Sequence, residues 1–459
     1  MVLAARTRSR RRSWLLGPAV ALMCLVAGLA AGAGTALGAQ FERGDVFLAA
    51  SGGVQEYTPA GTLVQTIPGS GGATSMCFDP SGAHLILPGV GLFNDNGGAL
   101  PSNWASATPG RCVADGSGNV YVVTRDASFV WTIAKYDLKG NLLQAFHPAP
   151  FAGEGPFAID LAPDNCTAYY GNSNSSPVGG TGFVGIGRFN VCTGAQAPFF
   201  GASNFVNDLR VLPDRQVLTT DDPNANLFDA SGGFVRSYYP GGGPFTNSDT
   251  LQTLSLAPDE KSFWVCCAAI PNSSQPKRVF HFDTDSGDLL ASWIPGDATA
   301  ADGPMSTYTP PALGDANVER HVDAARAGTA EAFRTKAAFT GQLSRLHLWV
   351  DSSSTARTIT VGIYAERHGL PAQLKGEGTI TAVQAGSWNF VDVSSVPVTA
   401  GEHWWLAVLS PRGGTAVSFR DGRRCGLSVQ SSGSHLADLP DRWSSGRLSV
   451  AGPLSAYGS

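Results

Sequence analysis

The sequence predicts an all-β protein in two parts, and three observations carry that prediction. A hairpin-like segment recurs six times between residues 54 and 293, no amphipathic helix of normal length separates the copies, and from Gly314 onward the pattern changes to longer alternating strands. The 459 residues exceed one ordinary core and suit about two or three domains. With 43% hydrophobic and 15% charged residues, 56 Gly and 29 Pro, the composition is globular and rich in turns, which excludes collagen, coiled coil and a disordered chain.

Residues 1–39 read as an export signal. Five arginines (Arg6, Arg8, Arg10, Arg11, Arg12) precede an apolar stretch from Trp14 to Ala31, and small residues then offer cleavage after Ala36 or Ala39. Arg11-Arg12-Ser13-Trp14-Leu15 resembles the twin-arginine export motif, with an ordinary secretory signal as the alternative. The chain is expected to meet a membrane only through this leader, if it stays uncleaved. Removing the leader takes the net charge from −5 to −10, a balance that argues against nucleic acid because neutralising phosphates needs clustered Lys and Arg.

Past Cys24 in the leader, the cysteines are Cys77, Cys112, Cys166, Cys192, Cys266, Cys267 and Cys425. Seven cannot all pair, and Cys425, alone in the C-terminal third, is the expected leftover. A bridge between Cys166 and Cys192 is predicted, since one opens a strand and the other closes its antiparallel neighbour, which places them at the same rim. The states of Cys77, Cys112, Cys266 and Cys267 stay open.

The six repeated segments are 54–67, 92–104, 133–146, 187–200, 226–239 and 279–293. Each carries an aromatic (Tyr57, Phe93, Tyr136, Phe189, Phe228, Phe282), then a glycine (Gly61, Gly97, Gly140, Gly194, Gly232, Gly287), then an apolar strand. This is the grammar of a β-hairpin whose turn demands positive φ. Between them runs a second form, a short apolar strand ending at Asp79, Asp115, Asp164, Asp214 or Asp259. Strand, turn, strand and hairpin together make a four-stranded antiparallel unit of propeller-blade length.

In their order, the segments FAIDLAPDNCTAYYG, GRFNVCTG, LRVLPDRQVLTTD and LSLAPDEKSFWV resemble the six-bladed β-propellers of secreted bacterial proteins of the NHL-repeat, gluconolactonase-like and streptogramin-lyase-like group. The resemblance implies a propeller over 40–297, with five or seven blades as alternatives and with a strand from 297–312, or a gap, at the closure. Residues 298–313 have the small-residue and Pro-Pro composition of a linker. Residues 314–459 read as a β-sandwich similar to a jelly-roll module, with strands such as RLHLWVD (345–351), TITVGIYA (358–365) and HWWLAVL (403–409).

Aligning the inner strands on their terminal Asp yields one polar column of Ser75, Arg111, Asp160, Arg210 and Ser255, flanked by mostly apolar columns. Period two puts this column on one side, predicted to face the central channel, where two arginines and an aspartate would bind an anionic or sugar-like ligand or form a closed salt-bridge network. In the sandwich, parity opposes Trp349 to Leu346, Leu348 and Val350, and Tyr364 to Ile359, Val361 and Ile363. Trp349 and Tyr364 are therefore the glycan candidates, with burial as the competing reading, while Trp388 and Trp404 read as core.

The group's enzymes would imply a divalent metal on Glu, Asn and Asp side chains, or a general-base His. Here His84, His147 and His281 fall outside the inner column, and no Glu joins Asp160, Asn207 and Asp208 near the inner strands, so no catalytic residue or metal ligand transfers. Gly180-Thr181-Gly182-Phe183-Val184-Gly185 matches a dinucleotide fingerprint but is followed by a strand, not a helix. Asp283 to Asp288 has the look of a calcium loop but lacks the twelfth-position Glu and is one of the repeated hairpin turns. The sequence thus points to a secreted or cell-surface binding or scaffold protein that needs no cofactor. The propeller would be its platform for an extracellular small molecule, glycan or protein, and the sandwich an accessory glycan module. The alternative is a metal-dependent lactonase or lyase at the channel mouth.

Overall fold

The computed structural model describes residues 38–459 except 108–109, 126–130, 150–155, 173–184, 201–205, 221–223, 240–248, 270–277, 298–303 and 424–425. These residues belong to one compact unit. Cys425 and the stretch 180–184 of the fingerprint-like motif lie outside the described residues.

All six repeated segments fold as hairpins. Their turn glycines have φ from 73° to 92°, and their aromatics are all buried. Gly61 is doubly constrained, because φ is +81° and an added Cβ would fall 2.5 Å from Trp293 of the neighbouring sheet. Each hairpin forms the outer half of a four-stranded antiparallel sheet, and the described residues hold six such sheets. Their innermost strands, Met305–Thr307, Cys77–Phe78, Cys112–Ala114, Pro156–Leu161, Asp208–Val211 and Asp249–Leu256, belong to sheets 1 to 6 in that order.

An apolar core fills each gap between successive sheets. Phe47 and Leu85 share one core, Ile86 and Val122 the next, then Tyr121 and Tyr170, Tyr169 and Val217, and Leu218 and Val265. The sixth, with Trp264 and Leu48, joins sheet 6 back to sheet 1. The ring is a β-propeller. Its first sheet takes its innermost strand from the stretch read as linker, Met305–Thr307, which pairs antiparallel with Val46–Leu48.

Beyond Leu313 two six-stranded sheets pack face to face. Leu346, Leu348 and Val350 of one meet Ile359, Val361 and Ile363 of the other in a shared core that also holds Trp404, as parity requires. The outer face of the second sheet is covered in turn. Tyr364, Trp405 and Ala407 pack beneath Leu439 and Trp443.

Two disulfides cross this framework. Cys166 and Cys192 join neighbouring strands of sheet 4 with Cα atoms 5.2 Å apart, and Cys77 and Cys112 join the inner strands of sheets 2 and 3 at 5.8 Å. The second bridge closes a loop with a sequence separation of 35, worth about 3–4 kcal/mol in the chain-entropy model. Cys77→Ser should therefore lower the free energy of unfolding by roughly that amount in urea titration. Non-reducing peptide mapping should recover both linked pairs, and alkylation of these four cysteines without reduction would refute the pairing.

Candidate binding site

The polar column is built by the inner strands, but at two levels instead of one. The turn after each inner strand is marked by a shared pair of backbone bonds: His84 O accepts from Asp79 N and Asp79 O from Gly82 N, just as Thr167 O accepts from Ala162 N and Ala162 O from Asn165 N. Ala162, Leu212 and Ala257 therefore hold the place of Asp79 and Asp115, and sheets 4 to 6 are offset by two residues from the alignment on Asp. Two is the strand period, so the side is unchanged and the level moves by about 7 Å. Ser75 and Arg111 stand level with Asp208 and Thr253, whereas Asp160, Arg210 and Ser255 form the next level.

Most of these side chains reach to the next sheet. Asp160 Oδ2 accepts from Val211 N at 2.7 Å, Asp208 Oδ2 from Leu254 N at 3.1 Å, Thr253 Oγ1 from Met305 N at 3.1 Å and Ser255 Oγ from Thr307 N at 2.9 Å. They occupy N–H groups that an innermost strand, with no neighbour on its channel side, would leave unpaired. Arg111 donates to Gln252 O at 3.3 Å, on the strand of sheet 6 that is bulged at this residue. The buried Ser75 hydroxyl has no hydrogen-bond partner.

Charge in the column is balanced. Arg210 Nη1 lies 2.9 Å from Asp208 Oδ1, and Asp208 is only 1% exposed. Burial pulls the Arg210 guanidinium down, but Asp208 and Asp160 more than offset this and hold it above its ordinary value. Burial lowers the Arg111 value despite the nearby Asp208. The Asp160 carboxyl is raised by burial to about 6 against the pull of Arg210. Arg210 thus spends its charge on Asp208, as in a closed salt-bridge network, whereas Arg111 gives its hydrogen bond to a backbone carbonyl.

One end of the column opens into a chamber of about 340 Å³ between propeller and sandwich. Asp160, Arg210 and Ser255 line it from the propeller, and His347, Trp388 and Tyr457 from the sandwich. Prolines from the inner turns, among them Pro80, Pro163, Pro213 and Pro258, rim it. The rim carbonyls are used: Pro163 O accepts from Trp388 N at 3.0 Å, and Pro258 O and Pro310 O accept from Arg43 at 2.7 and 3.0 Å. Beside them Glu260, in left-handed backbone conformation at φ 55°, sits 3.1 Å from His347 Nε2 and 3.5 Å from Arg345. Burial pushes the Glu260 carboxyl up, and His347 and Arg345 override this to hold it below its ordinary range. Ser459 Oγ also contacts His347 Nε2, at 3.1 Å. Serine and carboxylate thus share one ring nitrogen, which is not the two-ended relay a Ser-His-acid triad requires.

The sandwich aromatics redistribute. Tyr364 is fully buried, its hydroxyl donating to Pro440 O at 2.8 Å and its ring against Trp443, so it offers no face to a sugar. Trp349 is 9% exposed and packs edge to face with Trp388. Trp388, assigned to the core by sequence, is the half-buried indole on the chamber wall. Asp283 closes a hairpin turn, accepting from Asp285 N and Ser286 N.

No family model and no curated protein matches this chain. Among solved structures it is similar to a chain of a nidogen/laminin complex, at 13% identity and a TM-score of 0.40 over 57% of this chain and 97% of that one. It is also similar to a gluconolactonase from Xanthomonas campestris (14%, 0.36, over 50% and 84%) and to a protein of unknown function from Bacteroides caccae (13%, 0.42, over 58% and 98%). These likenesses concern architecture alone.

Two measurements check the electrostatics. Arg210→Ala should destabilise the fold by roughly 3 kcal/mol in urea unfolding, because Asp208 is left buried without its partner, and adding Asp208→Asn should recover part of the loss. Because the Asp160 carboxyl is raised, the folded protein keeps a proton that the unfolded chain has released above about pH 4. Its contribution is therefore full below about pH 4 and lost as pH rises through 6, to an extent of roughly 3 kcal/mol. Asp160→Asn should flatten that slope. Asp315, raised by burial to about 6, acts in the same direction, so the difference between wild type and variant isolates Asp160.

Proposed function

We propose that this is an exported binding protein whose ligand site is the chamber between propeller and sandwich. Export is supported by the leader and by the two disulfides, which belong to an oxidising compartment. The observation that carries the binding reading is the chamber itself, about 340 Å³ lined by Asp160, Arg210 and Ser255 of the propeller and by His347, Trp388 and Tyr457 of the sandwich. Small-molecule sites are concave, of about 300–1,000 Å³, and combine apolar walls with a few convergent polar groups; the chamber lies near the lower end of that range and has both. The sandwich then acts as the roof of the site.

A second reading, a lactonase or lyase, is favoured by one observation, the Asp160 carboxyl near 6 at the edge of the chamber, a value suited to proton transfer. Stoichiometric divalent metal in the purified protein would support its metal-dependent form.

Thermal unfolding with a small-molecule library tests the binding reading. A ligand at 100 times its Kd should stabilise by about 2.7 kcal/mol, and Ala316→Phe, which places a ring in the chamber without removing a polar partner, should abolish the effect. Equal stabilisation of wild type and variant would move the site elsewhere.

A further inference from the structure

We infer that the leader is removed by hydrolysis of the Ala36–Leu37 bond and that residues 38–41 stay with the mature chain as a strap across the first two sheets. This rests on the export reading and goes further by choosing between the two cleavage positions and giving the retained residues a task. One water is consumed: its hydroxyl goes to the Ala36 carbonyl carbon and its proton to the Leu37 nitrogen, which becomes the new terminus.

The competing bond, Ala39–Gln40, is held by the fold on both sides. Its carbonyl, Ala39 O, accepts from Gln65 Nε2 at 2.7 Å, and Ala39 N donates to Gln65 Oε1 at 3.0 Å. Beyond the bond, Gln40 Nε2 and Phe41 N both donate to Asp95 O, at 3.0 and 2.8 Å. Phe41 is fully buried, its ring 4.7 Å from Phe47 and 5.7 Å from Tyr308. Before the bond, a Cβ added at Gly38 would collide with Asn96 O and Gln65 Oε1. A peptidase must draw the backbone on both sides of the scissile bond into its own groove. Here the carbonyl it would attack is already bonded, and the second residue beyond it is a core side chain. The compact unit starts at Leu37, so a cut after Ala36 falls at its boundary and takes nothing from it.

Side-chain size decides the same way on an unfolded chain. A cut after Ala36 puts Ala36 and Gly34, both small, at the first and third positions before the bond, whereas a cut after Ala39 puts Leu37 at the third. The twin-arginine route presents a folded chain to the peptidase and an ordinary secretory signal an unfolded one. The fold protects Ala39–Gln40 in the first case, and Leu37 disfavours it in the second. The retained strap then leads into the binding site. Gln65, which grips Ala39, also donates to the buried Glu56 Oε2 at 2.6 Å. Two residues past Phe41, Arg43 is fixed on Pro258 O and Pro310 O in the chamber lining. Gly44 N donates to Tyr308 O at 2.9 Å, and Tyr308 N to Asp45 O at 2.8 Å, which ties the strap to the segment that closes the ring.

Expression of the full chain with its leader, in a bacterial host that has both export routes, tests the assignment. The exported protein is weighed intact by mass spectrometry, because an N-terminal Gln40 would cyclise and block sequential degradation. The mature chain should start at Leu37. Ala36→Leu should abolish processing, whereas Ala39→Leu, at an exposed position, should leave the cut and its extent unchanged. A product starting at Gln40, from the wild type or from Ala36→Leu, would overturn the choice of bond and leave export standing, as would loss of processing in Ala39→Leu. Wild-type protein that keeps its leader would overturn the export reading as well. Aminopeptidase treatment of the folded mature protein tests the strap. Trimming should stop before Ala39, and Gln65→Ala should let it run past that residue. Trimming past Ala39 in the wild type would overturn the strap whichever bond is cut.

Discussion

Each innermost strand of the ring turns one edge toward the channel, and the N–H groups along that edge have no strand to pair with. The rest of the propeller depends on how they are satisfied. Asp160, Asp208, Thr253 and Ser255 each reach across to the following sheet and accept from one of them. A side chain that does this must be short, polar and on one parity, which is why the column is polar at all. Once two carboxylates are spent in this way, arginines are needed beside them, since buried carboxylates without a counter-charge are costly. The cluster that looks like a ligand site in sequence is thus first a device for joining sheets.

The end of the column that opens into the chamber is defined by the seam with the sandwich. Prolines terminate the inner strands, remove donors from the rim and leave their carbonyls free to receive Trp388 N–H and the Arg43 guanidinium. Glu260 adds a charged contact across the seam to Arg345 and His347. Propeller and sandwich therefore behave as one body at this face, and the chamber is a property of the pair that neither would possess alone.

The hairpins were legible because a turn glycine and a buried aromatic are local requirements, repeated six times. The closing strand at 305–307 was legible as a missing partner for Val46, although its three residues carry no strong signal of their own. The side of the polar column could be read, and its level could not, because Pro-Asp in sheets 4 to 6 sits two residues beyond the turn position that Asp79 and Asp115 hold. Parity likewise found the sandwich core correctly from Leu346 and Ile359. It erred at Tyr364 because period two reports two faces of a strand and is blind to what covers the second, here the segment around Leu439 and Trp443. Trp388 was misassigned for the same reason: its surroundings come from a different part of the chain.

The strand Met305–Thr307 closes the first sheet from the far end of the ring, so that sheet is complete only when both ends of the ring have met. Five sheets draw all four strands from consecutive sequence, while the first waits with Val46–Ala50, every residue of which is buried in the finished protein, lying bare along one edge. Until the last strand arrives, that edge is a template for any other extended chain. A ribosome must therefore have released residue 307 before the protein is safe from its own kind, and a chain cut short anywhere within the ring would meet its neighbours strand to strand.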